Sequence, residues 1–413
     1  TFAAALLREG TAKLDSIAIA QRQEELGANI SAGSSLDRTN VTLSALTINL
    51  APSLDLFADV ALHPKFAPAE IERMRGQLLA AIAAEKTDPS AMADRALKPA
   101  IYGPTHPYAH AANGTEASVK AITRADLTHF HGAWFRPEKA RLFVVSDLPL
   151  AQLQPLIEAR FGNWSGQGVV GSKVIDLPIP EARPRIILID RKDSPQSQIL
   201  AGLVLDRRGT DDNLDLDAAA QIVGGSFLSR INMDIRETKG WSYGVEAYLS
   251  QTQGRIAYEI SAPVQADKTG PAIAAMLADY KSFLTDKGVS AEELARVQNG
   301  NIRELPGAFE SASAVLGATL QNDLLGRADD YYATLAPRVR AQTASALDHA
   351  ARAAIDPGKL VWVVVGDAAK VRPQLDEHGL SIEVAAPQPQ ALQADDASAD
   401  APTDAGGDLG VGT

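Results

Sequence analysis

Arg136-Pro-Glu-Lys-Ala-Arg-Leu-Phe-Val-Val-Ser-Asp147 returns 220 residues later as Asp356-Pro-Gly-Lys-Leu-Val-Trp-Val-Val-Val-Gly-Asp367. Each copy reads as a turn, a short apolar strand and a second turn at the aspartate. The match extends upstream without a gap, Thr123-Arg-Ala-Asp-Leu-Thr128 aligning with Thr343-Ala-Ser-Ala-Leu-Asp348 at the same offset. Phe66-Ala-Pro-Ala-Glu-Ile-Glu-Arg-Met-Arg75 pairs with Val289-Ser-Ala-Glu-Glu-Leu-Ala-Arg-Val-Gln298 at an offset of 223. Leu26-Gly-Ala-Asn-Ile30 pairs with Lys239-Gly-Trp-Ser-Tyr243 at 213. Blocks in the same order at nearly constant spacing are the mark of an internal duplication.

Within each unit the hydrophobic period changes repeatedly. Ile17 to Leu26 steps by helical turns, Asn40 to Leu50 alternates as a half-buried strand, and Pro52 opens a helix through Leu62. Ala67-Pro-Ala-Glu70 starts a long helix to about Glu85, which Asp88-Pro89 ends. In the second unit Arg185 to Asp190 and Ile199 to Val204 read as opening strands, Ala219 to Arg236 as a helix, and Tyr243 to Leu249 and Arg255 to Ala262 as strands. Helices follow at Pro271 to Leu284 and Ala291 to Arg303, then a late strand at Leu360 to Gly366, the equivalent of Phe143-Val-Val-Ser-Asp147.

These patterns predict an α+β protein of two homologous α/β-roll domains, each an antiparallel-rich sheet with helices gathered on one side. The domains are expected over residues 1–170 and 180–385, with Gly162 to Ile179 as connector. Residues 386–413 carry five Asp and no basic residue, and read as a flexible acidic tail. The first unit lacks counterparts of the opening strands, which predicts an incomplete sheet and missing upstream sequence.

With 413 residues and 46% hydrophobic residues the chain is large enough for two cores. A net charge of −12 and the lack of a basic stripe with interleaved aromatics argue against nucleic acid as a partner. No run approaches about 20 apolar residues, so no membrane span is expected. Thr1 is not an initiator Met, and there is no cysteine, hence no thiolate chemistry and no disulfide frame.

The chemistry-bearing stretch is Gly224-Gly-Ser-Phe-Leu-Ser-Arg-Ile-Asn-Met-Asp-Ile-Arg-Glu-Thr-Lys-Gly-Trp-Ser-Tyr-Gly-Val245. It reads as a small-residue entry, an amphipathic helix ending near Arg236, a glycine stop and a strand headed by Tyr243. The run resembles the arginine–tyrosine motif of the pitrilysin-type, inverted-motif zinc peptidases (M16) and the mitochondrial processing peptidase. Further marks of that family are Gly10-Thr11, His106-Pro-Tyr108, Gly114-Thr115 and Gly224 to Arg230. Active members bind zinc through His-x-x-Glu-His and a later Glu. By the resemblance those positions fall on Thr1, Ala4, Ala5 and, near the third ligand, Ala81, and a methyl group donates no electron pair.

The resemblance therefore implies a non-metal subunit: no cofactor in this chain, zinc in a homologous partner subunit, and a peptide or unfolded protein as substrate. Arg236 and Tyr243 are the implied catalytic pair, aimed at a carbonyl oxygen as charge develops on it. Arg230 and Trp241 are candidates for lining the substrate chamber, Arg230 being equally readable as a salt-bridged residue. Glu237 either orients Arg236 or faces water. In the first unit the positions aligned with the pair are Gln23 and Ile30.

Taken without the resemblance, an arginine near a helix C-terminus suits the helix dipole and a tyrosine in an apolar strand suits a core. His106 and His110, with His129 and His131, lack the spacing of a metal site, Pro107 interrupting the first pair; His106-Pro-Tyr108 instead reads as a turn packed on its own domain. Gly224-Gly225 lacks a dinucleotide-binding pattern and suits close packing. Two other functions stand beside the paired subunit: a structural or peptide-binding noncatalytic homologue, and a peptidase whose ligands lie upstream of Thr1. The similarity to exported bacterial members and the absent cysteine favour a periplasmic or exported location.

Overall fold

The computed structural model describes residues 1–166 and 168–385, so the tail expected from residue 386 lies outside the described residues. Eight strands are formed: β1 Asn29–Ser34, β2 Thr39–Ser44, β3 Arg185–Asp190, β4 Gln196–Arg208, β5 Glu246–Leu249, β6 Arg255–Gln265, β7 Val361–Gly366 and β8 Ile382–Ala385. In the second unit six of them make one sheet in the order β5-β6-β4-β7-β3-β8. β4 runs antiparallel to both neighbours, Leu200 lying opposite Ser261 on β6 and Val363 on β7. β3 runs parallel to β7 and β8. The result is two α/β domains built by duplication.

Alternation along these strands divides the core into two faces. Ile186, Leu188, Ile199, Ala201, Tyr258, Ile260, Trp362 and Val364 point one way, into a core closed by helices Leu214–Ala220, Thr269–Leu284, Ala344–Ala354 and Ala368–Asp376. Ile187, Ile189, Leu200, Val361, Val363 and Val365 point the other way, onto Ala93, Leu97, Ile101 and Tyr102. Those four belong to helix Pro89–Tyr102 of the first unit. The second unit's own helices thus gather on one side of its sheet, as expected, and the first unit supplies the cover on the other. That double burial is why β7 reads as an unbroken apolar run rather than an alternating one. Gly202 permits the close approach, since a Cβ there would stand 3.0 Å from Leu97 Cδ2.

Polar contacts fix the same interface. Glu259 on β6 is fully buried, ion-paired to Lys98 of the covering helix and 3.2 Å from the Tyr248 hydroxyl. Asp37, in the turn between β1 and β2, accepts from Tyr108 Oη at 2.8 Å and from Gln253 N at 3.0 Å, and is ion-paired to Lys173. Tyr108 Oη in turn accepts from Gly254 N at 2.9 Å, and Tyr102 Oη donates to Arg255 O at 3.0 Å. The His106-Pro-Tyr108 turn therefore packs on its own unit through Tyr102 and Asp37, as expected, and also reaches the second unit at Gly254.

Among the described residues of the first unit only β1 and β2 pair, antiparallel, with Ala32 opposite Val41. The expected strand at Phe143 to Asp147 is not formed, and Leu142, Val144 and Val145 stand exposed. Its counterpart β7 lies between β4 and β3, whereas no described strand lies beside this segment, so its backbone has no ladder to join. A groove of about 300 Å³ separates it from β2, walled by Val41, Leu43, Phe57, Leu316 and Leu320 among others. The strand expected over Asn40 to Leu50 ends at Ser44, and the next helix begins at Leu50, with Pro52 tolerated in its first turn.

The duplication is repeated in the helix caps. Thr123 and Thr343 cap helices Arg124–Trp134 and Ala344–Ala354, accepting from Asp126 N and Ala346 N. Asp88 and Ser311 do the same for helices Pro89–Tyr102 and Ala312–Leu324. Each such cap contributes about 1 kcal/mol.

Candidate functional site

The stretch from Gly224 to Val245 is not the single helix read from its pattern. Helix Leu214–Ala220 widens into a π-helical turn at Gln221–Gly225, the chain extends through Ser226, and helix Arg230–Asn232 opens into a second π-helical segment, Met233–Thr238. Gly224 makes the first widening possible: a Cβ there would sit 2.5 Å from Ala247 Cβ and 2.9 Å from Ile231 Cδ1. The break leaves Phe227 and Leu228 exposed. π-turns recur at functional sites because they shift side chains relative to the regular helix, and here the second one carries Arg236.

The Arg236 guanidinium lies over the Phe227 ring, 4.4 Å from its centroid, and Nη1 is 2.8 Å from Glu237 Oε1. The Glu237 contact is an ion pair without hydrogen-bond alignment, as Nη1 has no geometric hydrogen-bond partner. Stacking on a ring and pairing at one side hold the fork while leaving N–H groups uncommitted.

Gly240, at φ +65°, ends the segment, and Trp241 to Gly244 form a turn, so Tyr243 precedes the strand, which starts at Glu246. Ser242 Oγ donates to Pro263 O at 2.5 Å and accepts from Gly244 N at 3.0 Å, pinning the turn to β6. The Tyr243 side chain projects into solvent, 90% exposed. Phe227, Leu228, Met233 and Tyr243 are all exposed, and of these Phe227 lies against the guanidinium.

Arg230 is occupied. Its Nε and Nη2 donate to both Glu293 oxygens at 2.7 Å, Nη2 also reaches Gly288 O at 2.8 Å, and the guanidinium packs 4.9 Å from the Phe283 ring centroid. Burial alone would raise the Glu293 carboxyl, but Arg230 and Ser290 outweigh it and hold it down at about 2. Trp241 is half-buried, with Lys239 Nζ 5.5 Å from its ring centroid and Lys239 ion-paired to Asp234. Behind them Asp279 is pushed up to about 6, first by burial and then by the Asp234 charge.

In the first unit the two positions aligned with the pair bond each other: Gln23 Oε1 accepts from Ile30 N at 2.6 Å. Thr1 Oγ1 donates to Ala112 O at 2.7 Å, Ala4 is buried in helix Phe2–Leu6, and Ala81 is exposed on helix Pro68–Glu85. Among the described residues no group of three or more His, Cys, Asp or Glu is placed to hold a metal ion. His106 and His131 serve packing: His106 stacks on Tyr102, and His131 stacks on Phe135 with Nε2 2.9 Å from Ala61 O. Among the described residues no helix is long and apolar enough to cross a membrane. Sequence reasoning missed Phe227, which sits in the break of the expected helix, and Asn232, which sits where helix Arg230–Asn232 passes into the π-helical segment.

The chain belongs to the M16 (pitrilysin-type) peptidase family: residues 2–113 match the profile described as insulinase (peptidase family M16), and residues 121–301 that described as peptidase M16 inactive domain. An uncharacterized zinc protease of Mycobacterium tuberculosis is 29% identical over 249 residues, 59% of this chain and 56% of that protein. The chain thus spans a little over half the length of such relatives. A non-peptidase homolog of Helicobacter pylori is 22% identical over 89% of this chain and 84% of its own length. The crystal structure of a peptidase M16 inactive domain from Pseudomonas fluorescens superposes with a TM-score of 0.81 at 26% identity, covering 89% of this chain and 87% of that one. A periplasmic protease from Escherichia coli, PqqL, shares the fold, with a TM-score of 0.71 at 17% identity over 88% of this chain and 40% of that chain.

Proposed function

We propose that this chain is the non-zinc subunit of a heterodimeric zinc metalloendopeptidase, inactive alone, that lends Arg236 and Tyr243 to the zinc site of a homologous His-x-x-Glu-His partner. One contrast carries the reading: the second unit presents an exposed phenol and a guanidinium whose Nη1 is buried against Glu237 while Nε and Nη2 make no hydrogen bond among the described residues, whereas Thr1, Ala4, Ala5 and Ala81 offer no metal ligand set. The zinc would belong to the partner and supply the activated water there. This chain's part is to receive the peptide. Its carbonyl oxygen gains negative charge as the carbon becomes tetrahedral, and donors already in place bind that oxygen best at that stage. The fork of Arg236, steadied by Phe227 and Glu237, gives charge and direction; the Tyr243 phenol gives a neutral donor. Leu228, Met233 and Trp241 would flank an unfolded peptide. A periplasmic or exported location belongs to the same proposal, supported by the absent cysteine and by the periplasmic protease among the structural neighbours.

The Helicobacter relative, described as a non-peptidase homolog, favours a second reading, in which the chain binds peptide or supports an assembly without taking part in cleavage. Mixing the chain with its metal-bearing homologue separates the two. Under the first, cleavage of an unfolded polypeptide appears only in the mixture, and Arg236→Ala or Tyr243→Phe removes on the order of 10²-fold of the turnover while co-elution persists. Unchanged turnover in both variants would leave only the noncatalytic reading.

A further inference from the structure

The two halves of the arginine–tyrosine motif are joined by one buried amide. Asn232, 2% exposed, ends the short helix Arg230–Asn232. Its Nδ2 donates to Phe227 O at 2.7 Å, fixing the extended break whose ring lies under Arg236. Its Oδ1 accepts from Val245 N at 2.9 Å, fixing the chain two residues after Tyr243. With Ser242 bonded to Pro263 O on the other side, the turn bearing Tyr243 is held at both ends. Among the described residues no other side chain hydrogen-bonds to both segments. A buried amide with one donor and one acceptor each in use discriminates against Asp, which cannot donate, and against Leu, which does neither.

We infer that Asn232 is the positioning residue that couples the Arg236 platform to the Tyr243 turn, so that guanidinium and phenol hold a fixed separation before a peptide arrives. The inference rests on the proposed role of the pair, but the geometry it asserts is separable from that role. Asn232 itself faces away from solvent and touches no ligand. Its effect is transmitted through the backbone of Phe227 and Val245, and displacements of about 1 Å at such donors are costly in turnover.

The test uses the full chain labelled with ¹⁵N-valine and 3-fluorotyrosine, with Tyr243→Phe assigning the fluorine signal. Asn232→Ala is expected to move the Val245 amide resonance upfield and to shift and broaden the Tyr243 fluorine line. Asn232→Asp retains the acceptor, so the Val245 resonance stays, but it loses the bond to Phe227 O and repels that carbonyl. Binding of fluorescein-labelled β-casein is then measured for each folded variant. Asn232→Asp should weaken it about as much as Arg236→Ala, on the order of 10-fold. Unmoved Val245 and Tyr243 signals in Asn232→Ala would overturn the coupling, whatever the binding. Moved signals with casein binding indifferent to Arg236→Ala, Tyr243→Phe and Asn232→Asp alike would instead retain the coupling and remove the role of the pair. Should Asn232→Ala not fold, Asn232→Asp decides alone: a shifted or broadened Tyr243 fluorine line together with weakened casein binding supports the coupling, and a spectrum and binding identical to wild type refute it.

Discussion

Two arginines six positions apart have opposite fates, and their partners explain it. Arg230 gives its donors to Glu293 and two carbonyl groups, whereas Arg236 keeps donors in reserve over an exposed ring. Arg230→Met should therefore act on stability. Glu293 has a folded pKa depressed from 4.5 to about 2, so its contribution is present above pH 4.5 and lost as pH falls towards 2. The variant should unfold about 2–3 kcal/mol more easily at pH 7, and the gap to wild type in urea titrations should close towards pH 3. Arg236→Ala, half-exposed and weakly paired, should shift stability by less than about 1 kcal/mol. The sequence disclosed both residue identities and their spacing to Tyr243. It could not disclose which arginine was spent, because Glu293 lies 63 positions away and is brought in only by tertiary packing.

At the scale of elements, strands buried on both faces were the most legible. Arg185 to Asp190 is found as read, and Leu360 to Gly366 is one residue shorter, since β-branched runs between turn residues have few alternatives. The reading of Ala219 to Arg236 as a helix failed because an apolar period survives π-turns and a four-residue break, while the cause, Gly224 against Ala247, is a contact between distant segments. Gly224→Ala should force those segments apart and cost about 1–3 kcal/mol in thermal unfolding, with the Arg236 region losing amide protection first. Asp279, on helix Thr269–Leu284 and facing Asp234, Lys239 and Arg230, makes a second test. Its folded pKa of about 6 lies above the unfolded value of 3.8, so wild type loses stability as pH rises from 4 to 6. Asp279→Asn should be more stable than wild type at pH 7.5, by about 1 kcal/mol after solvent screening, and indistinguishable from it at pH 4.

For the whole molecule, the duplication gave the architecture but hid the exchange of covers, in which a helix of the first unit seals the second unit's sheet. Lys98 on that helix and Glu259 on β6 look unremarkable in sequence, and only their joint burial reveals an interface. Lys98→Met leaves the Glu259 charge buried and should lower stability by about 3–5 kcal/mol, while adding Glu259→Leu should recover most of it; calorimetry of the three proteins checks the cycle. The most direct measurement is peptide cleavage by this chain mixed with its homologous zinc-bearing subunit, for wild type, Arg236→Ala and Tyr243→Phe. Cleavage that needs both chains and falls about 10²-fold in each variant, with the complex intact by size exclusion, is the predicted result. Equal cleavage by the zinc-bearing subunit alone, or by all three mixtures, would contradict it.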